Sequence, residues 1–249
     1  MKKMRKLLPA LAMLLVSAVM MSTASYAWFA MNNTVSASGM LVKAKSDQTY
    51  LLISETPAAE GADEKTHAAA IQTQAITSIE TVSTTGKNLE VYPAALKAGS
   101  TNRGNIVFYT AVGTDFDDAT AVESSKTDIA SSALSKYVVK YTLYLTVADD
   151  AVSAENLKIS GVTIEGDSAV SVVVATDDAI VEIKETTGED YTSAVISGSK
   201  KITDESVYVV DVYVFYDGNE TTVTTENANN LADTTVSISF SVNGVADAT

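Results

Sequence analysis

The chain has one histidine, His67, in the run Thr66-His67-Ala68-Ala69-Ala70. A helical zinc hydrolase needs two histidines one turn apart, with a glutamate between them to activate water. Position 68 is alanine and a second histidine does not exist, so His67 reads as an exposed loop residue. Cysteine is absent as well, which excludes thiol catalysis, zinc–thiolate sites and iron–sulfur clusters. Ser197-Gly198-Ser199-Lys200 matches the S-x-x-K pattern in which a lysine activates a serine. That pattern carries chemistry only on a helix beside its partner motifs, and here it reads as a turn between two strands. No G-x-S-x-G elbow, Walker loop or dinucleotide fingerprint occurs. The residues therefore predict no catalytic centre and no cofactor.

Oxygen ligands are the remaining chemistry. Asp115, Asp117 and Asp118 form the densest acidic cluster, with Asp149-Asp150 and Asp177-Asp178 as pairs. A calcium loop counted from Asp115 wants glutamate at its twelfth position, where Lys126 stands. These acids read as solvated surface, and no metal is expected. The tyrosines, among them Tyr141, Tyr144, Tyr208, Tyr213 and Tyr216, fall in apolar runs that read as strands, where cross-strand packing accounts for them.

The elements that would position any site begin with the first 45 residues. Lys2, Lys3, Arg5 and Lys6 precede the apolar run Leu7 to Met21, and small and hydroxylated residues follow. A positive segment, a short apolar core and a small-x-small exit describe a secretory signal peptide. Ser25 and Ala27 occupy the two small positions, which places the cut between Ala27 and Trp28; a cut after Ala24 is the alternative. The competing reading is a retained anchor from Leu7 to Ala24. Those 18 residues are diluted by Pro9, Ser17, Ser22 and Thr23, and no stop-transfer cation follows before Lys43. Either way the bulk of the protein lies outside the membrane, which it meets only through that segment before cleavage.

Beyond the cut, Tyr26, Ala27, Trp28 and Phe29 run into a polar turn. Ser38, Gly39, Leu41 and Lys43 then open a strand. An aromatic junction followed by a strand opening Ser38-Gly39-Met40-Leu41 resembles the TasA/camelysin family of secreted proteins of Gram-positive bacteria, although Ala37 and Lys43 depart from that family's (S/T)-x-G-x-L-x-(V/L) pattern. A vaguer echo joins Tyr137–Val147 and Tyr208–Asp217 to the core strands of similar exported proteins. The resemblance implies export through a dedicated signal peptidase and, for TasA-like members, fibres built by strand addition. The peptidase activity described for camelysin relatives is not carried over, since His67 stands alone.

Composition agrees with export. Losing the four cations of the first 27 residues takes 17 basic residues to 13 against 31 acidic ones, a formal −18. Such a charge keeps an exported protein soluble and argues against nucleic acid or an anionic membrane as partner. A hydrophobic content of 46% supports a sizeable core, and a domain of this size can be stable without disulfides. The end, Ser241 to Thr249, shows no sorting motif, so sortase attachment to a cell wall is not expected.

Along the chain, Val35–Lys45 and Tyr50–Ile53 read as strands about a turn at Ser46-Asp47-Gln48. Residues 54–65 read as a loop. Thr66–Ile79 has the alanines of a short helix, weakened by β-branched residues. Leu89–Pro93 and Ile106–Val112 read as strands, and Thr114–Ser132 as a surface excursion. Tyr137–Val147 alternates with period two and reads as a half-buried strand. The alternation through Leu157 and Ile159 shifts phase at Gly161, which predicts a β-bulge. Val170–Ala175, Ile180–Ile183 and Tyr191–Ile196 are further strands. Val207–Tyr216 is apolar on both faces apart from Asp211 and reads as a central strand, with a hairpin turn at Asp217-Gly218-Asn219. Val236, Ile238, Phe240 and Val242 alternate with Thr235, Ser237, Ser239 and Ser241 in the last strand.

The sum is an all-β chain: an antiparallel, jelly-roll-like β-sandwich with long surface loops. Residues 1–27 form the signal peptide and 28–249 one secreted domain, with 28–45 as an N-terminal donor strand. The expected function is a non-enzymatic extracellular fibre or biofilm-matrix subunit, its partners being the export signal peptidase and copies of itself in a head-to-tail homopolymer. Trp28, Phe29, Val35, Leu41 and Val42 would form the assembly strand. The alternative is a monomeric secreted or surface binding module for a glycan or protein, with loops such as Thr114–Ser132 as the contact.

Overall fold

A computed structural model describes residues 35–37, 41–46, 51–74, 78–82, 89–111, 126–148, 152–165, 170–184, 195–218 and 235–246. In chain order the elements are β1 (Val35–Ala37), β2 (Leu41–Ser46), β3 (Leu51–Ser54), α1 (Glu64–Gln74), β4 (Ser78–Val82), β5 (Leu89–Val91), β6 (Ala95–Leu96), β7 (Phe108–Ala111) and β8 (Lys126–Asp128). A 3-10 turn at Ser131–Lys136 leads to β9 (Val138–Val147), β10 (Val152–Glu165), β11 (Val170–Ala175), β12 (Ile180–Ile183), β13 (Tyr208–Tyr216) and β14 (Thr235–Ala246). The protein is mostly β, as the alternating runs predict.

Two sheets carry the architecture. One has the order β12-β11-β13-β9-β3 and is antiparallel throughout. The other has the order β10-β14-β2-β4. Here β10–β14 and β2–β4 are antiparallel, but β14 and β2 run parallel, which departs from the purely antiparallel expectation. The smaller sheets are β1-β5 and β6-β7-β8.

Both large sheets contribute to one buried cluster. Leu143, Leu145, Val172, Val212 and Val214 come from the first sheet, and Leu157, Ile159, Val236, Ile238 and Phe240 from the second. Each such side chain contributes about 1.5–3 kcal/mol by leaving water. The period-two pattern of β14 is realised as written, with Val236, Ile238, Phe240 and Val242 buried. β13 lies between β11 and β9 and is buried along nearly its whole length, as its two-sided apolar sequence requires.

A second cluster covers the other face of the five-stranded sheet. Phe108 of β7 meets Tyr213 and Phe215 at ring separations of 5.4 and 5.2 Å, with Val138 and Val173 beside them. β9 buries Leu143 and Leu145 in one cluster and Val138 in the other, and Thr146 is buried with its hydroxyl donating to Thr203 O at 3.1 Å, while Lys140 stays exposed and Thr142 and Tyr144 partly so.

The phase change at Gly161 is a register shift between Ile159 and Gly161 against β14. A second shift, between Glu155 and Lys158, has no glycine; Asn156 takes a left-handed φ of 53° there, a conformation its short polar side chain tolerates. The helix begins two residues before the sequence reading. Asp63 accepts the Thr66 backbone N–H at 2.8 Å, and hydrogen bonds from the Thr66 side chain and then its backbone hold the carboxyl below the usual range, an N-cap with Glu64 in the first turn. The expected hairpin after β13 is not formed with β14, which lies in the other sheet. Of the strand expected at Tyr191–Ile196, residues 191–194 lie outside the described residues and Val195 forms an isolated bridge with Lys158.

Candidate functional site

The residues with chemical potential are dispersed. His67 is 7% exposed and lies on α1, not in an exposed loop. Its Nε2 is 3.0 Å from Thr56 O, and its ring packs edge-on against Tyr144 with centroids 4.9 Å apart. The hydrophobic and hydroxylated neighbours of a helix packed on β3 and β9 leave this ring little access to water. It borders a cleft of about 70 Å³ lined mainly by alanines, Pro57 and Ile71. Among the described residues no group of three or more acids or histidines could hold a metal ion.

Ser197 is buried, and its Oγ accepts the Leu157 backbone N–H at 3.1 Å. Lys200 points elsewhere, with its Nζ 3.5 Å from Asp178 and 3.9 Å from Asp177. The S-x-x-K pair is thus a turn, bonded from Lys200 N to Ser197 O at 3.0 Å. Asp177 also receives Arg103 Nε at 3.0 Å. Asp178 lies 3.0 Å from the Tyr208 hydroxyl, so this acidic pair is occupied by cations and a phenol. Asp115, Asp117, Asp118, Asp149 and Asp150 lie outside the described residues.

The residues expected to form an assembly strand divide in the same way. Ala27, Trp28 and Phe29 lie outside the described residues, as does the whole of the segment expected to be a signal peptide, 1–27. Among the described residues no helix is long and apolar enough to cross a membrane. Val35 is the register partner of Val91 in the short β1–β5 ribbon. Leu41 and Val42 are opposite Thr235 and Val236 on one side and Val82 and Thr81 on the other. Within one chain, then, β2 occupies an inner position of its own sheet.

No family model, curated protein or solved structure matches the chain.

The structure also brings together groups that the sequence reading left apart. Asp211 and Asp217 are six residues apart, an even spacing that puts them on one face of the β13 line. Both are almost fully buried, and each meets a lysine: Lys140 Nζ is 2.9 Å from Asp211 and Lys184 Nζ is 2.8 Å from Asp217. Thr142 adds a hydroxyl donated to Asp211 at 2.7 Å, and Ser171 one to Asp217 at 3.4 Å. Lys184 also lies 3.7 Å from Glu182. Burial pushes the Glu182 carboxyl above its ordinary range; Lys184 pulls it back and Asp217 pushes it further up. The available signal was an aspartate inside an apolar strand, because a buried carboxylate has to be paired. The identity of each lysine required the fold.

Proposed function

We propose that this chain is an exported structural protein. Its mature part, 28–249, builds an extracellular fibre or matrix by β-strand addition between copies of itself. The proposed architecture is a jelly-roll-like sandwich of the two large sheets, with long surface loops. The basic, apolar and small-residue order of the first 27 residues supports export.

The observation that carries the assembly reading is how the segment 28–45 is tied to the rest. β1 is held by three register pairs in a two-stranded ribbon apart from both large sheets. A ribbon that short is marginal by itself. β2 then fills a slot between β14 and β4. The same slot in a neighbouring copy has the same register and the same hydrogen-bonding groups, so exchange conserves the bonds while joining two subunits. Because each copy donates at one place and receives at another, the contact is head-to-tail and propagates.

Electron microscopy of residues 28–249 beside a form lacking Trp28 to Val35 tests the proposal. Fibres from the first and none from the second are expected. Equal fibres from both, or none from either across salt, pH and concentration, overturn it. A stable monomer under all those conditions is what the binding-module alternative expects.

A further inference from the structure

We propose that Lys184 and Asp217 condense into an intramolecular isopeptide bond, with Glu182 carrying the protons. The geometry has the three parts such a reaction needs. The amine is in place: Lys184 Nζ is 2.8 Å from Asp217 Oδ2. The acceptor is fixed: Asp217 is fully buried. Its flanking backbone is pinned by Ala94 N–H to Tyr216 O at 3.0 Å and Gly218 N–H to Ala94 O at 2.9 Å. The relay is adjacent: Glu182 lies 3.7 Å from the same amine, two residues earlier on the β12 line, so both side chains share a face.

That face also carries Val173 and Phe215 of the second apolar cluster. The acceptor lies on the buried side of the site, Asp217 being 0% exposed, while Glu182 (28%) and Lys184 (43%) reach it from the partly solvated edge. Burial already holds the Glu182 carboxyl above its ordinary range. A carboxyl within reach of the amine can lend a proton to one partner and take one from the other.

The step balances without any further reagent. Glu182 gives its proton to the Asp217 carboxylate and takes one from the Lys184 ammonium. The freed amine attacks Asp217 Cγ, and a C–N bond forms. A proton moves from nitrogen to a hydroxyl of the tetrahedral carbon through Glu182, a C–O bond breaks, and one water leaves. Ammonium and carboxylate become an amide, and Glu182 ends as it began.

The product ties the edge strand β12 to the central strand β13 across β11 and closes a covalent loop through residues 184–217. In a chain without cysteine, such a bond constrains the unfolded state as a disulfide would. Lys140 and Asp211 form a natural control. They are equally close at 2.9 Å, but Thr142 and Tyr213 supply hydroxyls where a second carboxyl would be needed, so this pair stays ionic.

Mass spectrometry of folded 28–249, held at neutral pH until the mass is constant, tests the proposal. The intact mass should be one water lower than the sequence mass, and a protease digest should give a branched peptide joining residues 184 and 217. Lys184→Arg and Glu182→Gln, each checked for folding by circular dichroism, should keep the full mass. The full mass in the unaltered folded chain overturns the proposal, as does a water loss that maps to other residues. Cross-linking undiminished in Glu182→Gln overturns the relay. The result is read within one chain, so it stands or falls separately from fibre formation.

Discussion

Val42 and Val236 are register partners in a parallel pair, so β2 is bonded to β14 with both strands running the same way. Parallel neighbours cannot be joined by a tight turn. The chain between them passes through the five-stranded sheet before it returns. β2 is thus joined to its β14 neighbour through hydrogen bonds and not through a local hairpin, and this is the property that a transferable strand needs.

The Asp211 pairing has a stability consequence. Its side chain is 2% exposed, whereas that of Lys140 is 42% exposed. Replacing Lys140 leaves a buried carboxylate with hydroxyl donors only. Lys140→Met should cost about 2 kcal/mol, below the range for fully buried pairs because the lysine is partly solvated. Thr142→Val should cost about 1 kcal/mol. Urea unfolding midpoints should fall in that order at an unchanged slope.

Tyr208 and Tyr213 set the alkaline limit. Burial pushes both phenols above their ordinary value of 10.0, with Asp178 reinforcing the first and Asp211 the second. A raised folded value means that the unfolded chain loses its proton first. The contribution is therefore intact below pH 10 and is lost as pH rises through the folded values. Unfolding free energy should decline above pH 10, and Tyr208→Phe or Tyr213→Phe should flatten that decline. Equilibrium unfolding at stepped pH measures it.

Two glycines should respond differently. Gly198 has a φ of +56°, and a Cβ there would meet Asp178 atoms at 3.3 Å. Gly198→Ala should cost more than about 1 kcal/mol. A Cβ on Gly161 would meet only Ser239, at 3.8 Å or beyond. Gly161→Ala should therefore stay within about 1 kcal/mol of the parent, although Gly161 marks the bulge. Thermal midpoints distinguish the pair.

His67 should behave as a packing residue. His67→Ala removes the contact with Thr56 O and the edge-on Tyr144 contact, and should cost about 2 kcal/mol. Calorimetric unfolding checks this, and an unchanged midpoint would show that the ring is dispensable to the α1 packing.

How much of this was legible differs by element. The last strand declared itself because Val236, Ile238, Phe240 and Val242 are separated by small hydroxyl residues, and one face of a strand is all that such a pattern requires. Central β13 was equally plain. Strand partners were not legible: no local signal in Leu41 to Ser46 distinguishes a hairpin from a parallel pairing with residues almost two hundred positions away. His67 falls inside the helix expected from Thr66, yet the sequence alone reads it as exposed, because its burial depends on how α1 packs its ring against Tyr144 of β9 and the Thr56 carbonyl. The lysine–aspartate pairs escaped for the related reason that each joins two strands far apart in sequence. Of the residues expected to form an assembly strand, Val35, Leu41 and Val42 lie in strands of the chain's own sheets, while Ala27, Trp28 and Phe29 lie outside the described residues.

The most direct test of strand exchange uses the absence of cysteine. Lys43 and Ser237 are register partners across the β2–β14 pair. A chain carrying Lys43→Cys and Ser237→Cys, assembled under reducing conditions and then oxidised, is run on a denaturing gel without reductant. Strand exchange predicts a ladder of covalently joined subunits that collapses to one band on reduction. A disulfide-bonded single-chain band from assembled material would contradict it, because β2 would then have remained in its own sheet.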